Sequence, residues 1–136
     1  MQILAFDFGT QYIGIAVGQT ITKTSSPLTV LNVAHEGKEI WNTISNIIVE
    51  WQPDQLLVGM PLNMDGSTSE MSLRARKFGN RIHGRFGITV HFADERLSSF
   101  EARGDIIDDT GSRDFKNQSI DSRSAAIILE SWMREP

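Results

Sequence analysis

Three acidic positions interrupt patterns that otherwise read as apolar or structural: Asp7, the pair Asp94 and Glu95, and Asp121. Asp7 breaks the run Ile3, Leu4, Ala5, Phe6, Phe8, and a buried carboxylate is unfavourable by several kcal/mol unless a cation, a metal or backbone amides compensate it. Its plain alternative is an Asx-type residue at a strand end, beside the tight turn at Gly9-Thr10. Asp94 and Glu95 close a strand and precede Arg96, where charges are readily solvated. Asp121 lies one helical turn before Ala125 and two before Ile128, so it projects from the core-facing stripe. A first-turn acid favoured by the helix dipole is the other reading of that position.

Two of these sites lie at carboxyl ends of strands and the third on a helix facing the sheet, so all three can converge. Three carboxylates held together repel one another unless divalent cations neutralise them. Hard oxygen donors select Mg2+ or Mn2+ over zinc. His35, His83 and His91 have no metal-ligand spacing, and there is no cysteine. An acidic cluster of this kind suits two-metal phosphoryl chemistry, with Asp7, Glu95 and Asp121 as ligands and Asp94 as the alternative to Glu95.

A second feature opposes the overall charge. The formal net charge is −4, yet Arg74, Arg76, Lys77, Arg81 and Arg85 follow one another with no acid between Arg74 and Arg85. Spacings of 3, 4 and 4 align Arg74, Lys77, Arg81 and Arg85 along one side of a helix, a geometry suited to a phosphate backbone; a solvated face is the competing explanation. Gly79 and Gly84 weaken that helix by roughly 1 kcal/mol each relative to Ala, which points to a close contact or a frayed end.

The elements that must position these groups follow from periodicity. Residues 2–8 and 12–18 are apolar runs of strand length around Gly9-Thr10-Gln11, a hairpin signal. Residues 26–33 predict a third strand, with Pro27 at its entry or on an edge. Ile40, Ile44, Ile47, Ile48 and Trp51 form one stripe of a helix over 38–52 that Pro53 stops. Residues 55–59 read as a buried strand and 61–66 as a turn-rich loop, in which Asn63 contacts substrate or pairs with loop backbone. Ser67 or Thr68 caps the next helix, whose stripe is Met71, Ala75, Phe78, Ile82 and Phe86. A strand over 88–93, a helix over 98–109, a polar segment over 110–118 and a helix over 120–134 complete the chain. The order predicts an α/β fold, a five-stranded mixed sheet with helices on both faces. In such sheets ligands bind beyond the carboxyl ends of parallel strands.

With 136 residues, 40% hydrophobic and 22% charged, the chain predicts a single globular domain over 1–136 and excludes disordered and collagen-like classes. No run approaches the ~18 apolar residues of a membrane span, and no export signal opens the sequence, so a cytoplasmic location without membrane attachment is expected. The absence of cysteine agrees with that compartment.

Four segments, FDFGTQYIGIAVG (6–18), VGMPLNMDG (58–66), DERLS (94–98) and DSRSAA (121–126), together resemble the YqgF family, whose members are described as pre-16S rRNA nucleases or Holliday junction resolvases. The resemblance implies a ribonuclease H-like fold with the first strand beside the fourth. It also implies a cytoplasmic hydrolase that cuts phosphodiester bonds with divalent metal. The family's acidic residues match Asp7, Glu95 and Asp121. One departure is Tyr12, where many members have Arg. The expectation is therefore an endonuclease acting on precursor rRNA, with structured four-way DNA as the alternative substrate. Arg96, Asn63 and the basic helix would hold the strand, and the protein would be a monomer or weak homodimer. Two rivals remain at this level: a non-catalytic RNA-binding assembly factor, and an actin-like ATPase, which 136 residues are too few to build in duplicate.

Overall fold

β1 (Gln2–Phe8) is buried on both sides: Ile3, Leu4, Ala5 and Phe6 are each at most 1% exposed. That burial requires neighbouring strands on both edges and helices on both faces, and the computed structural model supplies all four. It describes residues 1–9, 11–32, 38–61, 65, 67–94 and 117–134.

β2 (Tyr12–Gln19) and β3 (Thr24–Asn32) follow as antiparallel strands. After α1 (Lys38–Trp51), β4 (Gln55–Met60) pairs parallel with β1. After α2 (Glu70–Phe86), β5 (Thr89–Asp94) pairs parallel with β4. The sheet order is β3-β2-β1-β4-β5, and α3 (Asn117–Arg134) closes the described fold.

Side chains alternate between faces along each strand. Leu4 and Phe6 pack with Ile40, Ile44, Ile47 and Ile48 of α1 and with Ala75, Phe78 and Ile82 of α2. Ile3 and Ala5, pointing the other way, pack with Leu57, Ala93 and the α3 residues Ile128, Leu129 and Met133. The sheet thus separates α1 and α2 from α3, and the mixed five-stranded sheet covered on both faces is the architecture that the periodicity predicts.

Several local details differ from the sequence expectation. The cap of α2 is Ser69 rather than Ser67 or Thr68: its side chain accepts from the Ser72 amide at 3.0 Å, and the Ser72 hydroxyl accepts from the Ser69 amide at 2.8 Å. The reciprocal pair needs a hydrogen-bonding side chain three residues on, which Ser72 supplies for Ser69. α3 begins at Asn117, so the end of the predicted polar segment is helical. β3 runs from Thr24 and is an edge strand; Pro27 pairs with Ala16 where the register shifts, a position that tolerates a missing amide donor. Gly79 answers to close contact: a Cβ there would meet the Phe92 ring at 2.7 Å, whereas at Gly84 it would meet nothing. The helix expected over 98–109 lies outside the described residues.

Candidate active site

The carboxyl ends of the three parallel strands lie side by side. The register aligns Phe6 with Val58 and Val58 with Phe92, so Asp7, Gly59 and Ala93 form one rung and Phe8, Met60 and Asp94 the next. Asp7 follows Ile3 and Ala5 onto the face covered by α3, and it is partly buried there. Its antiparallel partner is Gly14, which contributes no side chain to that face. The turn beyond Asp7 is tight: the Gly9 amide donates to the Tyr12 carbonyl at 2.9 Å, and a Cβ at Gly9 would stand 2.7 Å from that oxygen. Only a bare glycine permits this closure next to Asp7. Tyr12 opens β2 on the face of Gly14, at the same end of the sheet.

α3 runs antiparallel to β1. Its late residues Leu129 and Met133 pack with Ile3, at the start of β1, while Ala125 and Ala126 pack on Ala16, the partner of Ala5. Asp121 lies in the helix four residues before Ala125, one turn further toward the carboxyl end of β1. The Ser25 hydroxyl donates to the Ala126 carbonyl at 2.7 Å and fixes the helix against β3. The Asp121 side chain, and Glu95, Arg96 and Asn63 altogether, lie outside the described residues. Asp94 is the exposed last residue of β5. Among the described residues no group of three or more His, Asp or Glu side chains is gathered as a metal site.

The fit to a hard divalent ion therefore rests on Asp7, a carboxylate held partly out of solvent at a strand end, opposite a glycine. The nearest imidazole on that face of β5, His91, bonds Gln55 at 2.9 Å and lies 5.0 Å from the Trp132 ring. It belongs to that contact, so among the described residues the donor at this strand end is the Asp7 carboxylate, an oxygen ligand of the kind Mg2+ or Mn2+ prefer.

The basic residues are split by the helix. Arg74, Arg76, Lys77, Arg81 and Arg85 are all exposed. Arg76 lies over Phe92 of β5 at 5.0 Å, and Arg85 lies over Trp41 of α1 at 4.3 Å. Arg76 thus occupies one flank of α2 and the row ending in Arg85 the other. Both flanks are on the sheet face opposite to Asp7. Trp41, which sequence periodicity did not include in the α1 stripe, bridges the two helices by stacking on Phe78 at 5.8 Å; its position three residues before Ile44 is the signal that places it there.

A family model described as RuvX, Holliday junction resolvase, matches residues 1–135. The chain belongs to the RuvX family. The match bears out the resemblance to YqgF proteins seen in the four sequence segments. Among RuvX relatives, a protein named "Putative pre-16S rRNA nuclease" from Marinobacter nauticus is 51% identical over 134 residues, covering 98% of this chain and 93% of the relative. One of the same name from Escherichia coli O157:H7 is 53% identical over 133 residues, covering 98% and 96%. Among solved structures, Thermus thermophilus RuvC in complex with a Holliday junction superposes with a TM-score of 0.61 at 13% identity, covering 98% of this chain and 93% of RuvC. The yeast mitochondrial Holliday junction resolvase Ydc2 does so with a TM-score of 0.57 at 12% identity, covering 97% and 77%. These likenesses establish the shared fold, and the RuvX chain has a ribonuclease H-like architecture.

Proposed function

We propose that this chain is a metal-dependent endonuclease that hydrolyses phosphodiester bonds in the 5′-end maturation of pre-16S rRNA, with Asp7, Glu95 and Asp121 holding Mg2+ or Mn2+. The observation that carries the reading is the placement of Asp7 at the carboxyl end of the central strand, on the face toward which α3 brings residue 121. Family membership and relatives at 51–53% identity over nearly the whole chain supply the reaction class and substrate.

A divalent ion bound at such a site offsets charge on the phosphoryl oxygens and lowers the pKa of water. The residues of the chain do the rest. Asp7 is held in β1 by its pairing with Gly14 of β2, and Gly14 puts no side chain beside it. The reading requires Glu95 to fall on the face of Ala93, two residues earlier, with Asp94 as the substitute ligand. Arg96 and Asn63 would hold the nucleic acid beyond the strand ends, since the cations of α2 lie on the opposite sheet face.

The second reading is resolution of four-way DNA, favoured by the description of the family model. Incubating the protein with Mn2+ and, in parallel, a pre-16S rRNA fragment and a four-way DNA junction separates the two. Cleavage of the RNA alone, lost in Asp7→Asn, supports the first reading; cleavage of the junction alone supports the second. Absence of both, with RNA binding intact in Asp7→Asn, would leave an assembly factor.

A further inference from the structure

The row Arg74, Lys77, Arg81 and Arg85 lies on the α1 side of α2, as the contact of Arg85 with Trp41 fixes. At about 1.5 Å per residue it extends for about 16 Å. The facing flank of α1 carries Trp41, Ser45 and the exposed Val49, while helical periodicity turns Glu39 and Glu50 to the other flank of α1. Glu70, one turn above Arg74, is the only carboxylate of α2. Among the described residues, no ion pair engages Arg74, Lys77 or Arg81. The result is a shallow cationic groove between two helices of an otherwise acidic chain, and the whole sheet stands between it and Asp7.

We infer that this groove is a second nucleic-acid site, which grips the sugar-phosphate backbone of a double-stranded segment away from the bond that is cut. The inference rests on the nuclease reading for what that segment belongs to, but the groove chemistry stands on its own. Proteins that hold single strands without sequence preference pair cations with aromatic rings on which bases stack. Among the described residues the aromatic of this groove, Trp41, is already engaged by Phe78 and by the Arg85 guanidinium, so those residues present charge without a stacking platform. That is the requirement of a duplex, whose bases are turned inward and whose phosphates are the exposed ligand. A duplex backbone also rises about 3.4 Å per base pair along each strand, so the row matches about five base pairs.

The test is equilibrium binding by the full chain without divalent metal, across a salt series. The probes are an RNA hairpin, a DNA duplex with the same number of base pairs, and a single-stranded RNA of the same length. In the triple variant Arg74→Gln/Lys77→Gln/Arg81→Gln, the slope of log K against log salt should fall by about 2.7 for duplex probes, about 0.9 per lost contact. It should fall by less than 1 for the single strand. The duplex with the larger fall identifies the source, RNA or DNA. The charge-preserving variant Arg74→Lys/Lys77→Arg/Arg81→Lys should retain the original slope, which separates lost charge from any disturbance of α2. An unchanged duplex slope in the triple Gln variant, or an equal fall on the single strand, overturns the inference. Because no cleavage is measured, a lost slope in a protein that cuts nothing would sink the nuclease reading alone.

Discussion

Asp7 pairs with Gly14 across two strands whose next rungs on that face are Ala5 with Ala16 and Ile3 with Gly18, so it is the one acid on that face of the pair. Replacing Asp7 by Asn removes the charge and keeps the shape. Manganese-dependent cleavage should be abolished, and the melting temperature without metal should hold or rise, because repulsion among clustered carboxylates is relieved. Mn2+ should raise the melting temperature of the wild type and not that of the variant. A clear loss of metal-free stability in Asp7→Asn would instead assign the residue to the turn. Two glycines of α2 offer a sharper contrast. Gly79→Ala drives a methyl group into Phe92 and should cost about 1–3 kcal/mol. Gly84→Ala meets open space and should stabilise by about 0.5–1 kcal/mol. Urea unfolding of both variants checks the signs. From sequence alone the two glycines looked equivalent, since spacing records neither which residue touches a neighbouring strand nor how closely. Asp7 was legible because a charge inside an apolar strand has few explanations. Closure of the site was not, because it would need Asp7 to meet residues 95 and 121 from the far end of the sequence.

At the scale of elements, periodicity carried most of the fold. β1, β2, α1, β4 and α2 have strong apolar repeats because each buries one or both faces completely, and burial is what a hydrophobic pattern reports. β3 was blurred at its ends: an edge strand with Thr24, Ser25 and Ser26 exposes much of its surface, so polar residues are tolerated and the pattern fades. The first turn of α3 was read as loop for a related reason, since Asn117, Gln118 and Ser119 offer no apolar stripe. The cap of α2 was expected at Ser67 or Thr68 and is Ser69, a shift that three-dimensional reach decides. Ser69 also donates to the Pro61 carbonyl at 2.5 Å, tying the helix start to the end of β4. Ser69→Ala should therefore cost about 1–2 kcal/mol, with Ser67→Ala within about 0.5 kcal/mol of wild type. Chemical denaturation of the two variants distinguishes the caps.

On the scale of the molecule, one sheet divides two kinds of surface: an acidic strand end beneath α3, and a cationic groove between α1 and α2. None of the described helices is long and apolar enough to cross a membrane. Among the described residues α3 covers β1 and β2 on its side, and Leu129 at its centre is fully buried, with its methyl groups close against Gly18. Leu129→Ala should cost about 2–5 kcal/mol, read as a lowered urea midpoint.

The position of α3 after all five strands has a consequence for synthesis. Strands made first wait for a helix made after all of them, so a growing polypeptide still attached to the ribosome carries the greasy flank that α3 buries. Translation stopped before residue 117 should yield aggregates rather than a weak enzyme, which sedimentation of the shortened product would reveal.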